Sequence, residues 1–544
     1  MGGPHWIDEL ADRLERRLAA RSGRGVLVFN GGLSVSGLQH IGRLRGEVLL
    51  LEAVRRRLEE RGYRVEQLIT LYTQDPWKGK EEQLGAFKSR EEARRYVGWP
   101  LIRVPDPEGC HDNWVEHYWE DFGPYLKEVG DGRIRVVTTT ELYKGRLRSF
   151  ITEKVLPLRR EVIRVVNKYR GRKPYPEDWI PVEPVCGNCG RIDSTEALEV
   201  SGGRVRYRCR SCGYEGVARL EDSKLNWRIE WTGVWWSLGV DFEPYGKDHA
   251  TPGGSRDSCA DLAVNVFGFE PPEGEWYEWV SMRASGREYD MTSSGFAGVT
   301  PREWLEVAHP QVLRFIYFNT HLHRRIVIDM KEIPSYYSQY YRAERVYFGA
   351  EEGDRALARA YEFSHPRGPP REMPSQPPYL HVAILAQIVG PDNPEEAVRR
   401  LERTGHVRLD DYSLEWVRGL LARAYRWVEK YGGGQYRVAI LERLGGDVAS
   451  KIRHPDLLEG LARALSSLDE WSEERIRDAM VEFGRDLSPE LRREFYRDFY
   501  LAFTGRPQGP RAAPLLSLLD KEFVVSRLKE ASSMARSLRG QGGT

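Results

Sequence analysis

The stretch V-L-V-F-N-G-G-L-S-V-S-G-L-Q-H-I-G, residues 26–42, decides the fold. It begins with a short apolar run that predicts a buried strand, and glycines and serines follow. A helical pattern then continues to Gly62, with apolar residues at Leu44, Val48, Leu51 and Leu58. The run Val65–Leu71 is the next strand candidate. Strand, glycine-rich loop, helix and strand form a βαβ unit, which predicts a parallel sheet.

The segments around this unit extend the sheet and then interrupt it. Residues 6–20 predict an amphipathic helix, with Ile7, Leu10, Leu14 and Leu18 on one face. Residues 134–137, 239–242 and 278–280 are further strand candidates. Residues 180–222 are instead turn-rich and carry cysteine pairs. We therefore expect an α/β protein with a split Rossmann catalytic domain and a zinc-bearing insertion.

Five regions follow from these patterns. The first half of the Rossmann domain is assigned to 1–150, the insertion to 151–222, the second half to 223–300 and a connecting region to 301–365. The proline-rich segment 364–378 cannot continue a helix. Almost every segment of 379–544 has helical spacing, which predicts an all-helical domain.

Composition narrows the class of protein. The chain has 544 residues, too many for one hydrophobic core, and 40% of them are apolar. The formal net charge of +1 offers no whole-protein attraction to nucleic acid, so such binding would need local basic surfaces. We find neither a signal peptide nor a membrane span, and therefore expect a cytoplasmic protein without a membrane partner.

Four of the six cysteines are spaced like the ligands of a metal ion. Cys186 and Cys189 are separated by two residues, as are Cys209 and Cys212, and nineteen residues lie between the pairs. Each pair fits a tight turn that directs two thiolates at one ion, which predicts a four-cysteine zinc site. Because such a site leaves no ligand position open, we expect it to be structural.

A second cluster offers a mixed set of ligands. Asp106, Cys110, His111 and His117 supply a carboxylate, a thiol and two imidazoles within twelve residues. This is a legitimate zinc set, although a loop that happens to contain these residues explains the spacing equally well.

The loop of residues 34–42 lies where ligands bind in open α/β sheets, at the carboxyl end of a strand. A histidine at the start of the following helix, His40, can hydrogen-bond a phosphate. Two later stretches are likewise short loops that directly precede a predicted helix. G-K-D-H at 246–249 precedes a helix expected from about Ser255, and M-T-S-S-G at 291–295 precedes one expected over 302–307.

These three stretches occur in the order of a HIGH-type motif, a ribose-binding G-x-D and a KMSKS-type loop. In these three stretches and their order, the chain resembles the class I lysyl-tRNA synthetases of the archaeal type. Further segments that resemble blocks of this family are HWIDELADRL, GCHDNWVEHYWEDF, ELYKGR, NKYR, GVDFEPYGKDH and VLRFIY. The resemblance covers most of the chain and is strongest over the first 350 residues.

The resemblance implies that ATP, with Mg, and lysine form lysyl-adenylate, and that the lysyl group then passes to tRNA. It implies catalytic roles for His40, Gly42 and Arg43, and ATP contacts from Ser36, Gly37, His40, Gly246, Asp248, Met291, Thr292, Ser293 and Ser294. It places the lysine pocket at Gly32, Ser34, Trp235 and His249. It also favours zinc at both clusters, a stem-contact-like role for 301–365, and an anticodon-binding role for 379–544. The implied partners are tRNA, in particular the lysine tRNA, and other synthetases.

The chain departs from the family at its KMSKS-type loop. Asp290 and Gly295 stand where the family has lysines that bind the leaving phosphates of ATP. Arg43 occupies the last HIGH position, and Arg283 and Arg287 are further candidates to replace the lost cations. Two alternatives therefore stay open beside a lysine–tRNA ligase. One is a catalytically impaired or re-purposed tRNA-binding paralogue, and the other is a ligase for a different amino acid.

Overall fold

The computed structural model describes residues 3–19, 21, 23, 25–171, 173–408 and 410–541. The chain is divided into two compact units. The first comprises residues 1–304, 313–329 and 353–368, and the second comprises 305–312, 330–352 and 369–544. The expected connecting region 301–365 is therefore not one unit, because its residues are divided between both.

A parallel sheet forms the centre of the first unit. Its strands are β1 (Leu27–Leu33), β2 (Val65–Leu71) and β3 (Ile134–Thr138), and β2 lies in the middle. The helical crossover from β1 to β2 consists of Gly42–Leu44, a π-helical turn Arg45–Leu50, and Leu51–Glu59. The βαβ prediction is thus confirmed, although the helix ends at Glu59, three residues before Gly62, whose φ is +91°.

The first helix closes one side of this core. It spans Trp6–Leu18, and its predicted apolar face is confirmed because Ile7, Leu10, Leu14 and Leu18 are all buried. The helix packs with residues of β1 and of the crossover helix in one apolar cluster. Other helices of the first unit include Glu81–Gly85, Arg90–Ala93, Trp114–Glu120, Leu126–Val129, Thr139–Lys144, Arg146–Phe150, Ile151–Val155 (π), Arg159–Lys168, Trp227–Leu238, Ser255–Leu262, Ala263–Phe267 (π) and Arg355–Ser364, and Pro301–Leu305 is shared with the second unit.

The insertion is an antiparallel structure that begins later than the sequence suggested. Its strands are β4 (Val182–Pro184), β5 (Thr195–Ser201), β6 (Arg204–Cys209), β7 (Glu215–Arg219) and β8 (Ser223–Leu225). β5, β6 and β7 form one sheet, and β4 pairs with β8. Residues 151–168 are helical, so the strands of the insertion occupy 182–225 within the expected region 151–222 and just past its end.

The second half of the sheet region is more irregular than expected. The prediction of a strand at 239–242 is wrong, because Gly239 (φ +64°) ends the helix Trp227–Leu238. Within 239–242 only Phe242 forms bridges, to Phe29 of β1 and to Glu273. The regular strands here are β9 (Tyr245–Gly246), β10 (Trp276–Tyr277), β11 (Val280–Ala284), β12 (Arg287–Asp290) and β13 (Ile326–Ile328). The piece expected at 278–280 contributes only Val280. The bridge at Phe242 joins this half to the parallel sheet.

The second unit is helical. Its helices include Ile333–Tyr347, Tyr379–Val389, Pro394–Arg403, Asp411–Lys430, Gly433–Tyr436, Gly446–Ala449, Pro455–Ser466, Glu473–Phe483, Pro489–Thr504, Ala512–Ser517 and Lys521–Gln541, and Pro310–Phe318 is shared with the first unit. Between residues 379 and 541, the described part of the chain contains no strand, as predicted. Nowhere in the described ranges is a helix both long enough and apolar enough to cross a bilayer.

Candidate active site

A cavity of about 400 Å³ opens at the carboxyl ends of β1 and β2. Ser34 and Tyr72, which directly follow these strands, both line it. Ten of the residues that the resemblance assigns to catalysis, ATP or lysine line the cavity: Gly32, Ser34, His40, Gly42, Arg43, Gly246, Asp248, His249, Met291 and Thr292. The structure therefore brings the bend around His40, the stretch ending at His249 and the loop after β12 to one cavity.

His40 lies deep in the wall of this cavity. Its side chain is buried, and Nδ1 has no hydrogen-bond partner among the described residues. Burial, assisted by the charge of Arg43, lowers the pKa of His40 to about 3. Gly42 is needed beside it, because a Cβ there would lie 2.9 Å from His40 Nδ1. The imidazole is therefore neutral, and its unpartnered nitrogen, Nδ1, is enclosed beside Gly42.

Residues 291–297 form a loop that we call the serine loop, closed by a bridge between Thr292 and Ala297. Ser293 and Ser294 do not line the cavity but are held by cations from elsewhere in the chain. Arg43 Nε donates to Ser293 Oγ at 2.8 Å, and Lys80 Nζ donates to Ser294 Oγ at 2.8 Å.

Ser36 and Gly37 also lie behind the cavity wall. The Ser36 carbonyl accepts a hydrogen bond from Gln83 Nε2 at 2.8 Å. Gly37 permits the serine loop to approach, since a Cβ there would lie 2.5 Å from the carbonyl oxygen of Ser293. Gly37 thus lets the serine loop approach, Ser36 contacts Gln83, and neither residue is in the lining.

Gly246, Asp248 and His249 of the stretch 246–249 line the same cavity as His40. The Asp248 side chain is 56% exposed, so its carboxylate remains accessible to a ligand. A Cβ at Gly246 would lie 2.6 Å from Asp248 Oδ1, which explains the glycine at that position. His249 Nε2 lies 3.7 Å from Asp248 Oδ2, and burial lowers the pKa of His249.

The remaining wall is aromatic and encloses a buried carboxylate. Tyr72, Trp227 and Trp231 line the cavity together with Glu243. Trp235 does not line it: this side chain lies behind Glu243 and donates Nε1–H to Glu243 Oε2 at 3.2 Å. The resemblance places Trp235 in the lysine pocket; in the structure Trp227 and Trp231 line the cavity, and Trp235 contacts Glu243.

Glu243 accepts two further hydrogen bonds. Trp231 Nε1 donates to its Oε1 at 2.7 Å, and Asn30 Nδ2 donates to its Oε2 at 2.8 Å. The hydroxyl of Tyr72 is buried close to Oε1 and has no partner among the residues described. Sequence reasoning missed Tyr72 and Glu243. The position of Tyr72 just after a parallel strand was the available signal.

The protonation state of the Glu47 carboxyl group in the cavity wall depends on pH near neutrality. It lies in the π-helical turn, accepts a hydrogen bond from the Tyr277 hydroxyl, and lines the cavity. Burial raises the pKa of Glu47 to about 7, although Tyr277 and Arg43 favour the carboxylate. The carboxyl therefore stays protonated in the folded protein at pH values where it ionises in the unfolded chain.

We predict that Glu47→Gln removes a pH-dependent loss of stability. In the unmodified protein, Glu47 lowers the free energy of unfolding as the pH rises from its unfolded pKa to about 7. The difference amounts to at most about 3 kcal/mol at about pH 8 relative to about pH 4. Denaturant unfolding at the two pH values checks this, with exposed Glu82→Gln as the matched control. Equal pH dependence in the Glu47→Gln variant and the unmodified protein would contradict it.

Two groups of side chains in the first unit are arranged to hold metal ions. Cys186, Cys189, Cys209 and Cys212 converge, with Sγ–Sγ distances of 3.7 Å between Cys186 and Cys212 and 3.6 Å between Cys189 and Cys209. A tetrahedron of sulfurs around zinc has edges of about 3.8 Å. Gly190 and Gly213, with φ of +74° and +75°, provide the left-handed turns behind the second cysteine of each pair.

The second group is Asp106, Cys110, His111 and His117. Cys110 Sγ lies 3.1 Å from both Asp106 Oδ2 and His111 Nδ1, and 3.4 Å from His117 Nδ1. The Asp106 carboxylate is fixed by the backbone N–H groups of Glu108, Cys110 and His111. These donors fit zinc in kind and number.

The parallel sheet and the ligand cavity at its carboxyl edge define a nucleotide-binding α/β protein. Residues 4–367 match the family model described as "tRNA synthetases class I (K)", and residues 448–532 match "Anticodon binding domain". The first match covers more than half of the chain, which therefore belongs to the class I (K) family of tRNA synthetases.

Relatives of similar length support this assignment. The chain is 63% identical to the lysine–tRNA ligase of Aeropyrum pernix, over 99% of each chain. It is 31% identical to the lysine–tRNA ligase of Pyrococcus horikoshii, over 96% of this chain and 99% of that protein. It is 29% identical to the corresponding ligase of Methanocaldococcus jannaschii, over the same shares.

Proposed function

We propose that the protein is a lysine–tRNA ligase that acts in translation in the cytoplasm. It activates lysine with ATP to lysyl-adenylate, releases diphosphate, and transfers the lysyl group to tRNA. The observation that carries this proposal is the 63% identity, over essentially the whole chain, to a protein named for that activity. The two alternatives, an impaired paralogue and a ligase for another amino acid, are not favoured by this identity.

We assign the ATP end of the cavity to the residues around His40 and Asp248. The accessible Asp248 carboxylate accepts hydrogen bonds from the ribose hydroxyls, and Gly246 gives it room. Gly42 lets the phosphates approach the helix that begins there, and Mg enters with the nucleotide. Met291 and Thr292 close the phosphate end, while Ser36, Gly37, Ser293 and Ser294 hold the loop from behind.

We assign the lysine end to the aromatic wall around Glu243. The aliphatic part of lysine packs against Trp227 and Trp231, and its ammonium group meets the Glu243 carboxylate and the unused Tyr72 hydroxyl. A cation in this position is attracted both by the faces of the aromatic rings and by the negative charge of the buried carboxylate. Gly32, Ser34 and His249 complete this end, and Trp235 orients Glu243.

Adenylate formation then needs positioning and charge stabilisation. A lysine carboxylate oxygen attacks the α-phosphorus, a P–O bond forms, and the bond to the β-phosphate bridging oxygen breaks, so that its electron pair leaves with diphosphate. The neutral imidazole of His40 donates a hydrogen bond to a phosphate oxygen, and Arg43 supplies positive charge. Both interactions strengthen as charge develops in the transition state.

We assign tRNA binding to the helical region after residue 379, which includes the match at 448–532. Individual contacts need care, because several basic and aromatic side chains there serve the fold. Trp427 is fully buried and donates to the Met330 carbonyl, so it is not exposed for base stacking. Arg403 pairs with Asp520 and Arg399 with Glu396, whereas Lys451 is exposed and remains a candidate for phosphate contacts.

Both metal clusters fit zinc, and we assign each a structural role. The four cysteines would join the two turns of the insertion, and the Asp-Cys-His-His group would fix the segment 106–117. Neither ion would take part in the reaction. We expect elemental analysis to return about two zinc ions per chain, one for each tetrahedral set of ligands. Cys186→Ser should remove one, His117→Ala should remove the other, and a value of about one in the unmodified protein would contradict the second site.

Lysine-dependent exchange of labelled diphosphate into ATP tests the proposed function. We expect exchange with lysine and none with the other standard amino acids. Exchange with a different amino acid would indicate a ligase for that residue. Failure of all twenty to support exchange, with tRNA binding retained, would indicate the impaired paralogue.

A further inference from the structure

At the phosphate end of the cavity, a negatively charged ligand would meet a negatively charged side chain. An ATP triphosphate is strongly anionic, yet the lining there includes the carboxylate of Asp290. The structure shows how that charge is neutralised: Asp290 Oδ1 accepts hydrogen bonds from Arg325 Nη2 at 2.6 Å and from Ser281 Oγ at 2.8 Å. Asp290 is thus tied into β11 and an ion pair, but this arrangement supplies no free cation to the phosphates.

Arg283, one of the cations that the sequence offered as replacements, and Lys247, beside the cavity, are engaged elsewhere. Arg283 lies 3.8 Å from the carboxylate of Glu288. Lys247, from the G-K-D-H stretch, pairs with Glu278 at 2.5 Å and lies over the ring of Trp279. Each of these two charges already has an anionic partner, so redirecting it to a phosphate would break an ion pair.

Arg43 and Lys80 differ from them in their partners. Each donates to a neutral serine hydroxyl of the serine loop, at 2.8 Å in both cases. Among the described residues, Lys80 Nζ has no ion pair, and the side chain is exposed just ahead of the helix Glu81–Gly85. Exchanging a neutral hydroxyl for a phosphate oxygen gives each cation an anionic acceptor without breaking an ion pair.

We propose that Lys80 binds the diphosphate leaving group of ATP and supplies the cation that the serine loop itself lacks. This inference rests on the proposed adenylate-forming function. Lys80 meets the loop two residues beyond Thr292, which lines the cavity. When the bond between the α-phosphorus and the bridging oxygen breaks, negative charge grows on the departing diphosphate. The ammonium group of Lys80 stabilises that charge, while Arg43 acts from the other side of the loop.

The first test compares Lys80→Met with the unmodified protein in lysine-dependent diphosphate exchange. We expect kcat to fall on the order of 100-fold, the effect of removing one donor from a developing charge, with the KM for lysine little changed. Lys80→Arg should retain most of the rate, because it keeps the charge. Lys78→Met, a change of the same type at an exposed lysine two residues away, is the matched control and should keep the full rate.

A double-variant cycle with Ser294→Ala separates binding of diphosphate from support of the loop. If Lys80 acts on diphosphate, Lys80→Met slows the reaction on the Ser294→Ala background as strongly as on the unmodified one. If Lys80 only holds the loop through the Ser294 hydroxyl, it has no further effect on that background, and the proposal is overturned.

The proposal and the function on which it rests fail differently. A rate for Lys80→Met within about 3-fold of the unmodified protein, which exchanges diphosphate normally, would refute the role of Lys80 alone. Absence of exchange in the unmodified protein would refute the proposed function instead.

Discussion

His40→Ala is expected to lower kcat for lysine-dependent diphosphate exchange by about 1000-fold, the largest catalytic effect that we foresee for a single side chain. The imidazole is neutral, buried in the cavity wall, and carries a nitrogen with no partner in the described structure. Because Nδ1 is enclosed without an acceptor, we expect the proton on Nε2, and a donor held in a buried ring is pre-arranged for a phosphate and effective. The exchange rate at saturating ATP and lysine measures the loss.

The control for this variant keeps a donor in place of the imidazole. His40→Asn should lose less activity than His40→Ala, because the amide can still donate a hydrogen bond. Thermal unfolding of both variants should resemble that of the unmodified protein, which excludes a general loss of structure. Activity of His40→Ala within 10-fold of the unmodified rate would contradict a catalytic role.

Arg314→Met is expected to lower the free energy of unfolding of the first unit by about 3–5 kcal/mol. The guanidinium is fully buried, and its two Nη atoms donate to Glu52 at 2.7 and 3.1 Å. Its other hydrogen bonds go to the carbonyl groups of Val129, Phe363 and Ser364. Removing Arg314 leaves the buried Glu52 carboxylate with Arg56, at 4.0 Å, as its only remaining cation among the described residues, and a poorly compensated buried charge is costly.

Two further variants make the measurement specific. Arg314→Met combined with Glu52→Gln should recover part of the loss, because the buried charge is gone. Arg135→Met breaks an exposed ion pair with Glu66 and should cost less than about 1 kcal/mol. Denaturant unfolding checks all three, and equal losses for Arg314→Met and Arg135→Met would contradict the account.

The sequence correctly predicted those elements that depend on residues close together in the chain, such as the strand β2 and the turns of the cysteine pairs. β2 coincides with the predicted run Val65–Leu71, because a continuous apolar segment between turns is a buried strand in a parallel sheet. The cysteine pairs likewise converge as their spacing indicated. The strand expected at 239–242 failed because Gly239 adopts a left-handed conformation that ends a helix.

The identity of the cavity wall depended on information that spacing does not carry. Trp227, Trp231 and Trp235 follow one another at intervals of four on a single helix face. Their spacing alone therefore cannot tell which of them lines the cavity. Only the tertiary structure shows that the first two reach the cavity and the third supports Glu243. The contact between Lys80 and Ser294 joins residues 214 positions apart, and no local pattern predicts it.

The central claim is that one cavity holds both ATP and lysine, with the ribose at Asp248 and the amino acid at Glu243. A crystal structure with a non-hydrolysable lysyl-adenylate analogue, a lysyl-sulfamoyl-adenosine, tests it most directly. We predict the ribose hydroxyls on Asp248, the sulfamoyl group beside His40, and the lysine ammonium between Glu243 and Tyr72. An analogue bound elsewhere on the protein, or bound in this cavity with its lysyl chain away from Glu243, would contradict the account.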